Sequence, residues 1–238
     1  MESPHNVEDW IAEVAGRPSV FNHNVRLSGN EFRGFELVNE VELTGSNGLP
    51  ERVYLYARRT GKREALLRVS LSEQDDTRYG LLTLRDGLDH SMRPGPARAA
   101  GRLAKLVDVG FAQRDESSAG MGAVSFAVGN VVVTLRSAGD ESVDVAAAAA
   151  QLARLLAGPP DKASLKSGLA KARKPARFDL KAGQAGAVID ALPEPVPSGV
   201  RVQLLATNGD FRRERGKLFY AARIDGKARI ERFEYASN

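Results

Sequence analysis

The chain has 238 residues, of which 42% are hydrophobic and 27% are charged, and its formal net charge is +4. This balance is typical of a globular protein with one large domain or two modest ones. The absence of cysteine excludes disulfide bonds, thiolate metal sites and cysteine nucleophiles. No run of about 18 or more apolar residues occurs, so we expect no membrane-spanning helix.

Charge is divided unevenly along the chain. Residues 1–160 carry 18 Lys and Arg against 21 Asp and Glu, a net charge of −3. Residues 161–238 carry 16 against 9, a net charge of +7. This asymmetry indicates two structural units and directs any anionic partner to the second unit.

The N-terminal part of the chain predicts short helices and strands. A first helix is predicted from Val7 to Ala15, and we expect Trp10 on its apolar stripe to anchor the core. A second helix is predicted from Tyr79 to Leu88, after the capping residues Asp75 and Asp76. Between these helices, alternating apolar and polar residues predict strands over residues 35–43, 52–58 and 65–72.

A β-hairpin followed by a helix is predicted between residues 123 and 158. A two-residue turn at Gly129 and Asn130, which both tolerate positive φ, fixes the register of the hairpin. The turn pairs Val124 with Leu135, Phe126 with Val133 and Val128 with Val131. The alanine-rich helix that follows has Ser142 as a candidate N-cap and ends before Gly158. The predicted fold of residues 1–158 is therefore α+β, with an antiparallel sheet covered by helices.

A basic linker and a second domain are predicted after this helix. Residues 159–175 are rich in lysine, alanine, serine and glycine, which is typical of a solvated linker. Beyond the linker, short strands separated by turns predict a small all-β, sandwich-like domain over residues 176–238. The strands are expected at residues 177–180, 187–189, 200–206, 218–222 and 228–235.

The motifs of this last part occur in the order strand, glycine turn, short strand ending in tyrosine, Asp-Gly turn and final strand. The residues concerned are Val202, Leu204, Asn208-Gly209, Gly216 to Tyr220, Asp225-Gly226 and Ile230 to Tyr235. In this order the segment resembles a bacterial immunoglobulin-like or cadherin-like β-sandwich module. The calcium-binding motifs of cadherin repeats are absent from the sequence, so the resemblance implies no metal site. It implies adhesion or partner binding in an extracytoplasmic protein, and we expect a periplasmic or secreted mature form without a signal peptide. A cytoplasmic location stays open.

Sequence signals for catalysis are scarce. The chain has neither a P-loop pattern nor a Gly-x-Ser-x-Gly nucleophile elbow, and we predict no catalytic residue, metal or cofactor. Asp86, Asp89 and His90 lie at helical offsets, so they could share a metal or act as acid and base. A metal-assisted hydrolase using these three residues is the leading alternative, although a polar helix end explains them without catalysis.

A cluster of basic residues is the strongest functional signal. The candidate ligand-binding residues are Arg212, Arg213, Arg215, Lys217 and Arg223. Strand pairing across Gly216 would gather several of these charges on one sheet. We therefore expect a non-enzymatic binding or structural protein whose basic β-surface contacts a protein partner or an anionic polysaccharide. Nucleic-acid binding is a second alternative, and exposed strand edges leave self-association open.

Overall fold

The computed structural model of the chain describes residues 5–45, 48–90, 96–114, 120–179, 188–189, 199–223 and 225–236, without the side chains of residues 178, 179, 188 and 189. These residues form an α+β fold with antiparallel sheets. The helices are α1 (Val7–Val14), α2 (Thr77–Asp89), α3 (Gly101–Ala104), α4 (Ala146–Ala157) and α5 (Lys162–Ser167).

The strands follow in chain order around these helices. They are β1 (Ser19–His23), β2 (Glu36–Thr44), β3 (Pro50–Thr60), β4 (Arg63–Glu73), β5 (Ala97–Arg98), β6 (Val109–Arg114), β7 (Met121–Val128), β8 (Val131–Gly139), β9 (Ala170–Ala172), β10 (Ala176–Asp179), β11 (Val188–Ile189), β12 (Arg201–Ala206), β13 (Asp210–Glu214), β14 (Lys217–Ala221) and β15 (Lys227–Tyr235). Residue 180 is the last residue of one predicted strand and residue 187 is the first of another. Both lie outside the described residues.

The largest sheet has seven antiparallel strands in the order β2-β3-β4-β8-β7-β6-β5. The predicted register of the β7–β8 hairpin is confirmed: Val124 with Leu135, Phe126 with Val133 and Val128 with Val131. All six of these side chains are at most 1% exposed. β3 pairs with β4 along its length, and Tyr54 and Tyr56 lie on the buried face of this pair.

Apolar helix residues pack near the β7–β8 hairpin from two sides. Leu152 of α4 belongs to the same hydrophobic cluster as Phe126. Leu81 of α2 and Trp10 of α1 belong to a second cluster, which contains Val132 from the other face of the hairpin. Trp10 is 5% exposed, which confirms its predicted role as a core residue.

The two long helices begin in different ways. α2 has the predicted cap, because Asp76 Oδ1 accepts a hydrogen bond from the N–H of Tyr79 at 2.8 Å. The prediction of Ser142 as the N-cap of α4 is wrong, since Val145 occupies that position. Asp144 Oδ1 instead accepts from the N–H of Ala146 at 2.9 Å, two residues further along.

The C-terminal part of the chain forms two further antiparallel sheets, one of which also contains β1. One has the order β1-β12-β15-β10, with β9 also paired to β15, and the other has the order β11-β14-β13. Phe21 of β1, Leu204 of β12 and Phe211 of β13 share one hydrophobic cluster, which joins the two sheets. β1 was not expected from the sequence, whereas the pairing of β13 with β14 is the strand pairing across Gly216 considered above.

Several contacts connect the two sides of the predicted domain boundary at residue 158. The segment 159–175, expected to be a solvated linker, contains α5 and β9, and β9 pairs with the end of β15. β1, which belongs to the predicted first domain, pairs with β12 of the predicted second domain. The division into domains stays a prediction.

Side chains of β1 and β12 also bind the C-terminal end of α4. The carbonyl oxygen of Leu156 accepts from Gln203 Nε2 at 2.7 Å and from Asn22 Nδ2 at 3.2 Å. The carbonyl oxygen of Leu155 accepts from Arg201 Nη2 at 2.7 Å. Because the last carbonyl groups of a helix lack partners within it, these side chains satisfy the end of α4.

Candidate functional site

Arg223, one of the predicted ligand-binding residues, is fully engaged inside the protein. Its Nε and Nη2 atoms donate to the carboxylate oxygens of Asp210 at 2.7 and 2.5 Å. Nη2 also donates to Ser19 Oγ at 2.7 Å, and Nη1 donates to the carbonyl oxygens of Ala15 and Arg17 at 2.6 and 2.7 Å. A guanidinium has five N–H donors in a fixed fork. These contacts use all of them, so Arg223 has no donor left for an external ligand.

Arg213 also faces the interior. Its guanidinium lies over the ring of Phe21, at 5.2 Å from the ring centroid, and its Nη2 donates to His23 Nδ1 at 2.8 Å. His23 is therefore neutral, with its ring proton on Nε2. Burial, together with the nearby Arg213 and Arg52, lowers the pKa of His23 to about 4. Glu73 Oε2 lies 3.8 Å from Nδ1, but burial and the two guanidinium charges still lower the pKa of His23.

The other three predicted residues, Arg212, Arg215 and Lys217, are exposed. Arg212 and Arg213 are consecutive in β13, so their side chains leave opposite faces of the strand. Arg215 lies in the turn before β14, and Lys217 begins that strand opposite Glu214. The structure thus does not gather the five basic side chains on one face, and a binding role for the exposed three stays a prediction.

The residues of the hydrolase alternative lie at the C-terminal end of α2. Asp86 Oδ1 accepts from Arg85 Nη2 at 2.8 Å, and Asp89 Oδ2 lies 4.0 Å from Arg85 Nε. His90 Nδ1 donates to the carbonyl oxygen of Asp86 at 2.6 Å. Within the described part of the chain, no three His, Asp or Glu side chains form a group that could hold a metal ion. The hydrolase therefore stays an untested alternative.

The structure brings together two other arginines. Arg68 of β4 lies directly opposite Arg136 of β8 in the antiparallel register. Directly opposite residues share a face, with their Cβ atoms about 5 Å apart. Both side chains are exposed, and neither guanidinium forms an ion pair or hydrogen bond with any residue the structure describes. Two positive charges therefore face each other near the centre of the sheet, and neither has an ion-pair partner among the described residues.

A row of hydroxyl groups lies beside this arginine pair. Ser70 of β4 is opposite Thr134 of β8, and Thr134 is opposite Ser125 of β7. The hydroxyl oxygens of Ser125 and Thr134 are 3.1 Å apart and share a hydrogen bond. Guanidinium and hydroxyl groups are both donors to anionic oxygens. This part of the sheet can therefore bind a carboxylate, sulfate or phosphate group.

Apolar side chains continue the same face towards the edge of the sheet. Leu55 lies opposite Arg68, and Val53 lies opposite both Ser70 and Val41. Val41 and Leu43 of the edge strand β2 are 41% and 50% exposed. We call this surface the open sheet face; its residues are Val41, Leu43, Val53, Leu55, Arg68, Ser70, Thr134 and Arg136. It combines exposed aliphatic side chains with two positive charges that no described residue pairs.

Two adjoining clefts flank Arg136. The first has a volume of about 350 Å³ and lies between the end of α2 and strands β6 and β7, where His90 contributes to its lining. The second has a volume of about 230 Å³ and lies between α2 and strands β3 and β4, with Glu51 in its lining. Arg136, Ser125 and Gly87 line both clefts. Arg136 is therefore reached from both clefts.

Part of the sequence pattern indicates this site. Arg68 and Arg136 both occupy polar positions in strands of alternating character, next to Ser70 and Thr134. Such positions predict a solvated face, but they do not show which strands are neighbours. Only the pairing of β4 with β8, which joins distant parts of the chain, brings the two charges together.

Comparison of the chain with protein-family models, with curated proteins and with solved structures gives no match. In the parts of the chain that the structure describes, no helix is both long enough and apolar enough to cross a membrane.

Proposed function

We propose that this chain is a non-enzymatic binding protein that contacts an anionic partner through the open sheet face, with Arg68 and Arg136 binding the anionic group. The observation that carries the proposal is the cross-strand arginine pair, neither member of which has an ion-pair partner among the described residues. Like charges directly opposite each other in a sheet are destabilising. An anion between the two guanidinium groups would relieve this repulsion. The relief would contribute to the free energy of binding.

The surroundings of the pair favour an acidic protein segment as the partner. Val41 and Leu43 are exposed on the edge strand of the same face, two strands away from Arg68, and a protein segment can cover them with apolar side chains. An anionic polysaccharide supplies the negative charge but little apolar surface. Polysaccharide binding is therefore the second outcome of the test.

The test is titration of the native protein with fluorescently labelled polyglutamate and, separately, with heparin. The Arg68→Gln/Arg136→Gln double variant is expected to lose affinity for the bound probe by about tenfold or more, because it loses two charge-assisted contacts. A matched double variant, Arg63→Gln/Arg102→Gln, removes the same charge at exposed positions elsewhere. It should keep near-native affinity.

Equal losses in the two double variants would show that only net charge matters, and would contradict the proposal. Absence of binding to both probes would also contradict it. Duplex DNA serves as a third probe, and tighter binding to DNA than to polyglutamate and heparin at the same salt concentration would favour the nucleic-acid alternative.

The basic residues of the β13–β14 hairpin are a second candidate contact. Arg212, Arg215 and Lys217 are exposed and could meet an anionic partner at the hairpin tip. Replacing all three by glutamine in the same titration tests this role. A loss of affinity larger than that of the Arg68→Gln/Arg136→Gln variant would indicate that the hairpin, and not the open sheet face, is the main binding surface.

The sandwich-like character and location of the protein are also part of the proposal. One hydrophobic cluster joins the two C-terminal sheets, which supports a sandwich-like arrangement to which β1 contributes. The resemblance to immunoglobulin-like modules and the extracytoplasmic location stay predictions. Fractionation of cells that express the protein tests the location, by showing in which fraction the protein is found.

A further inference from the structure

A second surface, separate in sequence from the open sheet face, combines exposed leucines with lysines. Lys162, Leu165 and Lys166 of α5 have the spacing that places side chains on one side of a helix. Leu169 follows shortly after the helix ends at Gly168, which has a left-handed conformation with φ of 79°. Leu165 is 37% exposed and Leu169 is 56% exposed. Both leucines lie outside the hydrophobic clusters of the described residues.

Further charges border these leucines. We call this surface the lysine–leucine patch; its residues are Lys162, Leu165, Lys166, Leu169, Lys171 and Lys174. All four lysines are exposed, and none forms an ion pair with any residue that the structure describes. The acidic neighbour Asp161 serves as the N-cap of α5, where its Oδ1 accepts from the N–H of Ser164 at 2.7 Å. The patch therefore keeps an excess of positive charge.

The patch is held in place by the fold. Ala170 of β9 is 2% exposed and pairs with Tyr235 of β15. Arg173 Nη2 lies 2.9 Å from Glu234 Oε2, which fixes the chain on the other side of β9. The exposed leucines and lysines thus extend from a segment anchored to the five-stranded sheet.

We propose that the lysine–leucine patch docks the protein on the surface of an anionic lipid bilayer. Lysines near such a surface are attracted by its negative potential, and exposed leucines can enter the boundary between headgroups and acyl chains. A nucleic acid fits less well, because no residue of the patch is aromatic and could stack on bases. This proposal is independent of ligand binding at the open sheet face.

The test is sedimentation of the full-length protein with vesicles of phosphatidylcholine and phosphatidylserine, and with vesicles of phosphatidylcholine alone. Binding is expected only to the mixed vesicles and should weaken as salt increases. The Lys162→Gln/Lys166→Gln/Lys171→Gln variant should bind about a hundredfold more weakly, since each lysine contributes about fivefold. The matched control removes three exposed lysines elsewhere: Lys62→Gln/Lys105→Gln/Lys227→Gln. It should lose much less.

A second variant separates apolar insertion from charge. Leu165→Ser/Leu169→Ser keeps every charge and should still weaken binding severalfold, because less apolar surface enters the bilayer. All substituted side chains are exposed, so unchanged melting temperatures confirm folding. Absence of binding to the mixed vesicles, equal losses in the two lysine variants, or native binding by the leucine variant would each overturn the proposal.

Discussion

His23 shows how one half-buried side chain makes stability depend on pH. Its Nδ1 atom accepts a hydrogen bond from Arg213. A proton on Nδ1 would break this bond and leave two donor groups facing each other. The folded protein lowers the pKa of His23 from 6.5 to about 4, so the unfolded chain takes up a proton first as pH falls. The stabilisation is therefore complete above pH 6.5 and is lost as pH falls towards 4.

We predict that the His23→Asn variant, which keeps an acceptor but does not titrate, is less sensitive to acid. Over this range the native protein should lose about 2 kcal/mol more unfolding free energy than the variant, after allowance for the partly exposed ring. Urea denaturation at a series of pH values measures both curves. The readout is the difference in unfolding free energy between the two proteins at each pH, because carboxylates that titrate in the same range affect both. Parallel curves would contradict the role of His23.

Arg223 is expected to stabilise the fold without contacting a ligand. A lysine at this position keeps the charge but cannot reproduce the contacts to Asp210, Ser19 and the backbone. Arg223→Lys should therefore lower the free energy of unfolding by about 2 kcal/mol. Arg215→Lys, at an exposed turn position, is the control and should leave stability unchanged. If Arg223→Lys instead weakens polyglutamate binding at native stability, its structural assignment is wrong.

At the scale of the element, two glycines of α2 have different surroundings. A Cβ at Gly80 would lie 2.8 Å from the carbonyl oxygen of Gly129, whereas a Cβ at Gly87 would meet no atom within 4 Å. Alanine is favoured over glycine in a helix by about 1 kcal/mol. Gly87→Ala should therefore raise the free energy of unfolding, and Gly80→Ala should lower it by about 2 kcal/mol. Thermal denaturation measures both variants, and changes of the same sign would contradict this packing.

Elements with a local pattern could be predicted from the sequence. The Gly129-Asn130 turn gave the exact register of β7 with β8, but only Gly129 has a positive φ. Asn130 is used differently: its side chain is buried and bonds to the backbone of Asn22 and Gln74. That docking depends on the tertiary structure and could not be predicted from the turn alone.

Elements whose stability comes from distant partners were missed. β1 is five residues long and pairs with β12, far along the chain. β13 was interpreted as a basic binding surface, because its arginines suggested charge rather than alternation. Its burial becomes evident only when Phe211 and Arg213 are placed over Phe21. The Arg68 and Arg136 pair was missed for the same reason, since it depends on strand order.

At the scale of the whole molecule, contacts across residue 158 predict cooperative unfolding. Asn22 and Gln203, from the two sides of the boundary, bind the same carbonyl group of α4. Fluorescence of Trp10, the only tryptophan, reports on the first part of the chain, while far-ultraviolet circular dichroism reports on all of it. We predict coincident urea transitions by the two probes. Separate transitions would instead support two independent domains.

The binding of an anion by Arg68 and Arg136 on the open sheet face is tested most directly by the free energy of unfolding of the Arg136→Gln variant. Without a ligand, the variant should be more stable than the native protein by about 0.5 kcal/mol, because the repulsion with Arg68 is removed. Saturating polyglutamate should reverse this order, since it stabilises the protein that binds it more tightly. A variant that is less stable without ligand, or equal stabilisation of both proteins by polyglutamate, would contradict the account.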